Sequence, residues 1–173
     1  MKHMILVVPL LLAALSAQAR GLGWQEAVAH LASEQTRAET CASLVKRFGS
    51  ATQVAEGQIA YGEAKAEMDA VIAGLVVGLA EDQRPESLPD LEARLMRGVE
   101  QREAFCADAA ALVPGSSGEK SAIVDLVANT IGPLIDALTA VYLDARSADR
   151  LTRATIQTQL EATQWPRFGA IQP

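Results

Sequence analysis

The sequence predicts an all-α fold, a single-domain bundle of four or five helices held together by one disulfide. Hydrophobic residues make up 50% of the chain but aromatic residues only 4%, and most of the apolar content is Ala, Leu and Val. Such a composition favours helices over sheets. Apolar residues recur at three- and four-residue spacing, and no segment alternates with period two between turn signals.

The segment 1–19 has the layout of a secretory signal peptide. A short basic start precedes the apolar run 5–15, and small residues then define a cleavage site between Ala19 and Arg20. An uncleaved membrane anchor is the alternative, but this apolar run is much shorter than the roughly 20 residues that a spanning helix needs. We predict that 1–19 is removed and that 20–173 is a mature helical domain without a membrane span, in the bacterial periplasm or secreted.

The only two cysteines of the chain are Cys41 and Cys106. In an exported protein an even number of cysteines indicates a disulfide. Closing the long loop between these two positions stabilises a fold by about 4 kcal/mol. Two buried free thiols are the alternative interpretation. A redox-catalytic role would require Cys-x-x-Cys spacing, which the sequence lacks.

The first helix is predicted from an apolar stripe that ends at Gly49. Its members are Trp24, Val28, Leu31, Ala38, Ala42 and Val45. Capping-box spacing from Ser50 to Gln53 predicts that a second helix begins there, after either a turn or a slight bend. The stripe of the second helix consists of Tyr61, Ala64, Met68, Val71 and Leu75.

A third helix follows the proline-containing loop 83–89 and is capped by Ser87 or Asp90. Its inward stripe is Leu91, Leu95, Val99, Arg102, Cys106, Ala109 and Val113. In an up-and-down bundle the first and third helices run parallel and lie diagonally opposite. A link from Cys41 to Cys106 conflicts with that placement unless the first two helices form one bent rod.

The fourth helical segment is predicted to begin at a capping box from Ser116 to Glu119. Its stripe is Ile123, Val127, Ile131, Leu134, Leu138 and Val141, and Gly132-Pro133 predicts a kink or a break within it. A last helix with Leu151, Ile156 and Leu160 is predicted to reach Trp165 and to be ended by Pro166.

The charge of the chain excludes one class of partner and favours another. The chain has 15 Lys and Arg residues against 21 Asp and Glu residues. A nucleic-acid-binding protein needs a basic face to neutralise phosphates, so we predict no nucleic-acid partner. An acidic surface instead suits a basic protein.

Arginines are the first group of candidate binding residues. Arg146, Arg150 and Arg153 have the i, i+4, i+7 spacing of one helix face, which suits an anionic ligand or an acidic partner. Pairing with acidic neighbours in the same chain is the alternative. Arg102 falls within an apolar stripe, so it needs a carboxylate partner if it is buried, and would contact a ligand if it lines a groove.

Two further features have an intramolecular and an intermolecular interpretation. Trp165 and Phe168 lie in a short segment after the last helix, which either caps its own bundle or forms an exposed peptide with the residues of an interface hot spot. Gly74 and Gly78 form a G-x-x-x-G motif, which either lets two helices of the bundle approach closely or forms the face of a homodimer.

No metal or cofactor is predicted. His30 is the only histidine after the signal peptide, and together with two cysteines it gives fewer ligands than the four that a structural zinc site needs. The sequence has no G-x-S-x-G motif and no Cys-x-x-Cys-His motif. We predict no catalytic residues.

The function predicted from these features is protein binding by an exported, non-enzymatic periplasmic bundle, as an accessory subunit, an inhibitor or an immunity-type protein. The alternative is a small-ligand-binding or sensory bundle with a pocket between helices near Arg102 and Tyr61. An enzyme is the least supported class.

Overall fold

A computed structural model describes residues 22–115, 123 and 125–173 of the chain. The predicted signal peptide and the capping box from Ser116 to Glu119 lie outside the described residues. Within those residues the fold is all-α and contains no strand, which confirms the predicted fold class.

Five α-helices and one short 3₁₀ helix make up the described bundle. They are α1 (Trp24–Phe48), α2 (Ala51–Leu79), α3 (Leu88–Ala111), α4 (Ile131–Ser147), α5 (Arg150–Glu161) and the 3₁₀ helix (Phe168–Ala170). Residues 125–127 are also helical. None of the helices in the described ranges combines the length and the apolar content that crossing a membrane requires.

A tight turn, not a slight bend, joins α1 to α2. Gly49 and Ser50 have extended backbone angles, and the predicted capping box is present. The Ser50 amide donates to Gln53 Oε1 at 2.9 Å, and the Gln53 amide donates to Ser50 Oγ at 3.3 Å. The chain folds back so closely that a Cβ built on Gly57 would lie 2.8 Å from Val45 Cγ1.

The predicted helix across Gly132-Pro133 is broken, and the break lies just before this dipeptide. Residues 128–130 are non-helical, and α4 begins at Ile131. Pro133 therefore lies in the first turn of α4, where its missing N–H has no intrahelical partner to lose. The proline marks the start of a helix, not a kink within one.

A second break separates α4 from α5. Ala148 and Asp149 are extended, and the Asp149 carboxylate accepts the Thr152 amide at 2.8 Å as the N-cap of α5. Of the apolar residues of α5, Leu151 is 79% exposed. Ile156 and Leu160 are buried, and the helix ends at Glu161, before the predicted end at Trp165.

The helix directions follow from contacts between named residues. α2 and α3 are antiparallel, since Tyr61 contacts Phe105 and Gly74 approaches Leu91. α1 and α4 are also antiparallel, because the Trp24 amide donates to Asp144 at one end and Thr130 bonds to Glu34 at the other.

The parallel helices α1 and α3 are direct neighbours, joined by the predicted disulfide. The Cα atoms of Cys41 and Cys106 are 5.2 Å apart, and both residues are fully buried. The expectation that these helices lie diagonally apart is therefore wrong, although their parallel direction is as predicted. No bent rod is needed, because α1 and α3 contact each other directly at the disulfide.

Candidate functional site

Arg102, the candidate ligand contact in the apolar stripe of α3, is completely buried and paired with a carboxylate. Its exposed fraction is 0%, and that of Glu34 on α1 is 1%. Arg102 Nε donates to Glu34 Oε2 at 2.8 Å, and Nη2 contacts Glu34 Oε1 at 3.3 Å. The two planar groups thus form a bidentate pair, the strongest arrangement of an arginine with a carboxylate.

The segment before α4 completes this pair. Arg102 Nη2 also donates to Thr130 Oγ1 at 2.8 Å, and the Thr130 hydroxyl donates to Glu34 Oε1 at 2.9 Å. Arg102 Nη1 donates to the carbonyl of Leu126 at 2.7 Å, and Arg37 Nη1 donates to the carbonyl of Asp125 at 2.7 Å. Arg102 therefore connects α1, α3 and the segment that leads into α4, and its role in this structure is to hold the fold.

Glu34 is the partner that the sequence stripe missed. It lies three residues after Leu31 and four before Ala38, so it belongs to the buried face of α1. A buried arginine needs a carboxylate partner, and a carboxylate on the apolar stripe of another helix can supply one. Searching the apolar stripes for such a carboxylate would have identified Glu34.

The C-terminal segment packs against its own bundle. Trp165 is 3% exposed and Phe168 7% exposed, and both rings pack against Tyr61 with centroids 5.6 Å away. The Tyr61 hydroxyl donates to the carbonyl of Pro166 at 2.9 Å. In this structure neither aromatic side chain is presented to a partner, so the intramolecular interpretation accounts for the segment.

Two lysines hold the same segment along its length. Lys65 Nζ donates to the carbonyl of Trp165 at 2.6 Å, and Lys46 Nζ donates to the carbonyl of Ile171. Lys46 Nζ also lies 4.9 Å from the centre of the Phe168 ring. The segment is thus fixed by both apolar burial and hydrogen bonds to α1 and α2.

The ionisation of Tyr61 reflects this enclosure. Burial raises the pKa of the Tyr61 phenol well above its ordinary value, and the negative charges of Glu39 and Asp69 raise the pKa further. The alternative prediction, a small-ligand pocket near Arg102 and Tyr61, is therefore not supported, because both side chains already bond to groups of their own chain.

The predicted arginine stripe is wrong because its members do not share a helix. Arg146 lies in the last turn of α4, while Arg150 and Arg153 lie on α5 after the break. Arg146 stacks on the ring of Tyr142 at 5.6 Å. Arg153 pairs at 3.3 Å with Glu81, which follows the end of α2, so the intramolecular alternative holds for it.

The glycine motif of α2 serves packing within the chain. A Cβ built on Gly74 would lie 2.5 Å from Leu91 Cδ2 and 3.0 Å from Glu86 Oε2, so the start of α3 covers this position. At Gly78 the nearest atom is Pro85 Cβ, at 3.6 Å. The homodimer hypothesis for this face is not supported, because Leu91 of the same chain occupies the space beside Gly74.

Over the described residues, no group of three or more His, Cys, Asp or Glu side chains is arranged to hold a metal ion. His30 is half-buried on α1.

The candidate interaction site is a groove that sequence reasoning did not identify, and we call it the α2–α3 groove. It has a volume of about 510 Å³ and opens where the beginning of α2 faces the end of α3. Its apolar floor consists of Val45, Gly57, Ala60, Phe105 and Leu112. Gly57 lets α2 approach Val45 closely, since a Cβ there would lie 2.8 Å from Val45 Cγ1, and the small side chain of Ala60 leaves the space beside it open.

Two carboxylates flank this floor. Glu56 is exposed on α2, and Asp108 is exposed on α3. Gln53 and Ala111 complete the lining, and none of the described lining residues is basic. The groove therefore combines an apolar floor with a negative rim, which is the arrangement that binds apolar groups carrying positive charges nearby.

Comparison of the chain with protein-family models, with curated proteins and with solved structures found no match.

Proposed function

We propose that the protein is exported and acts outside the cytosol by binding a partner protein. The observation that carries the binding proposal is the α2–α3 groove, because an apolar groove open to solvent between two helices is a surface that a partner's side chains can fill. The roles that suit such a protein are those of an accessory subunit, an inhibitor or an immunity-type protein.

Export is supported by the disulfide and by the sequence of the segment 1–19. Disulfides persist in oxidising compartments and are rare in the cytosol. The Cys41–Cys106 bond lies at the contact between two parallel helices, where it ties together the parts of the fold that the chain connects only through α2.

The proposal is tested on protein taken from the extracytoplasmic fraction of the cells that make it. Intact mass without reductant should equal that of residues 20–173 less two hydrogens, and light scattering after mild cross-linking should detect one stoichiometric protein partner. A cytosolic protein that begins at Met1 with two free thiols would contradict export. An exported protein that remains a lone monomer after cross-linking would contradict partner binding.

A further inference from the structure

We infer that the α2–α3 groove binds a positively charged amphipathic helix of the partner. This inference rests on the proposed function and specifies the surface and the chemistry of the segment that fills it. Three properties of the groove carry it: its length, its apolar floor and the placement of its two carboxylates.

The length of the groove matches two turns of a helix. Its α2 wall extends from Gln53 to Ala60 and its α3 wall from Phe105 to Leu112. At about 1.5 Å per residue each wall is about 12 Å long. A docked helix of the same length presents two or three side chains at i, i+3 or i+4 and i+7 spacing to the floor.

The floor selects apolar side chains. Phe105 and Val45 are buried beneath the groove, and the small side chain of Ala60 leaves room beside them. Burying an aliphatic side chain stabilises a complex in proportion to the apolar area removed from water. A purely polar segment would leave this area exposed and would lack that contribution.

The rim selects positive charge. Glu56 and Asp108 lie on opposite walls, so an occupant of the groove passes between two carboxylates. The net charge of −6 adds a long-range field of the same sign. Lysines or arginines that flank the apolar face of the occupant would pair with this rim, whereas acidic residues there would be repelled.

A helix suits this groove better than an extended strand. A strand binds by completing the hydrogen bonds of an exposed sheet edge. In the middle of the groove both walls are helical, and the backbone groups of Gly57, Ala60 and Phe105 are bonded within their helices, so the floor offers side chains only. Helix-in-groove packing uses side chains alone and therefore fits the walls.

The test uses a defined probe, a fluorescent peptide of about 14 residues with leucines on one helical face and lysines on the others, a length at which an isolated helix is marginally stable. We expect it to bind the mature protein in fluorescence anisotropy. A peptide of the same composition in scrambled order, and one with glutamates in place of lysines, should bind at least about tenfold more weakly, a loss of about 1.4 kcal/mol.

Variants of the protein locate the binding. The double variant E56K/D108K and the filling variant Ala111→Trp should each weaken peptide binding about tenfold or more. The matched control E63K/E100K changes the charge equally on exposed residues of the same two helices outside the groove lining, and should keep most of the affinity. Circular dichroism melting confirms that each variant is folded.

Two results would overturn the inference: equal binding of the ordered and scrambled peptides, or equal loss of affinity in the groove and control variants. Either result would show that the acidic surface attracts the peptide without a specific groove. The proposed function is tested separately from the groove: an extracytoplasmic protein without a partner would contradict it. A natural partner that still binds E56K/D108K and Ala111→Trp would preserve the proposed function and remove only the groove from it.

Discussion

At the scale of the residue, Arg102 shows how one side chain connects distant parts of the chain. Taking its charge out of water is costly, and the bidentate contact with Glu34 offsets much of that cost. The remaining donors bond to Thr130 and to the carbonyl of Leu126. A carboxylate and a guanidinium that satisfy each other inside a core fix the relative position of their helices more sharply than apolar contacts do.

Removal of Arg102 is predicted to destabilise the fold strongly. Arg102→Met leaves Glu34 buried without its partner, and we expect the free energy of unfolding to fall by about 3 to 5 kcal/mol. The double variant E34L/R102M removes both charges and should recover most of that loss. Urea unfolding measures both values.

The control for this prediction is Arg97→Met, on the same helix. Arg97 is an exposed residue that pairs with Glu67 at 3.1 Å, so its removal should change stability little. If Arg102→Met were as mild as Arg97→Met, the account of the buried pair would be wrong.

Tyr61 provides a prediction about pH. The ordinary pKa of tyrosine is about 10, and the fold raises it, mainly by burial of the phenol. Because the folded value is above the unfolded one, the contribution of Tyr61 to stability is complete below pH of about 10 and is lost as the pH rises beyond it. The fold should therefore lose stability in alkali as the unfolded chain ionises.

Ultraviolet titration at the phenolate band checks this prediction. We expect the Tyr61 phenolate to appear together with the loss of circular dichroism, not before it. In the Tyr61→Phe variant the absorbance change coupled to unfolding should disappear. A Tyr61 signal that ionises near the ordinary value in the folded protein would show that the C-terminal segment does not enclose the phenol.

At the scale of the element, the two glycines of α2 are predicted to respond in opposite directions to the same substitution. Gly74→Ala places a methyl group 2.5 Å from Leu91 Cδ2, a buried atom with little room to move, and should cost about 1 to 3 kcal/mol. Gly78→Ala meets only Pro85 Cβ at 3.6 Å and should stabilise α2 by about 0.5 to 1 kcal/mol.

Thermal and urea unfolding of these variants separate packing from dimerisation. Destabilisation by Gly74→Ala should be independent of protein concentration, because Leu91 of the same chain makes the contact. A shift of the same sign in both variants, or one that depends on concentration, would contradict the packing that the structure shows.

Periodicity predicted most of the elements because core positions repeat along a helix. The buried stripes of α2 and α3 were predictable in this way, whereas the capping box followed from the spacing of Ser50 and Gln53, and the disulfide from an even number of cysteines in an exported chain. The sequence predicts a separate last helix that contains Leu151 but does not fix where it begins, because no glycine or proline marks Ala148 and Asp149. The predicted arginine stripe therefore combined Arg146 with Arg150 and Arg153, which lie on the other side of the break.

The candidate site was less predictable than the elements. Its two walls are far apart in sequence, and its existence depends on which faces of α2 and α3 other helices leave uncovered. Gly57 and Ala60 are the local signal, since small residues on a helix face indicate either close packing or a groove. The positions of α1 and α3 decide whether these small residues are closely packed or line a groove.

At the scale of the whole molecule, the fold of a chain poor in aromatic residues is stabilised by a few specific contacts. The disulfide and the Arg102–Glu34 pair both connect α1 with α3, and the C-terminal segment gathers two of the aromatic side chains around Tyr61. The α2–α3 groove lies beside these contacts, on helices whose positions the contacts fix. This rigidity suits a surface that binds a partner without rearrangement.

The most direct test of the account is photocross-linking in living cells from a single position in the α2–α3 groove. A photoreactive amino acid at Gln53, an exposed residue on the α2 wall of the groove, should give one cross-linked protein species in the extracytoplasmic fraction. The same amino acid at Ala93, an exposed alanine of α3 outside the groove lining, should not give that species. A species that forms equally from both positions, or from Ala93 alone, would contradict the claim that the groove binds the partner.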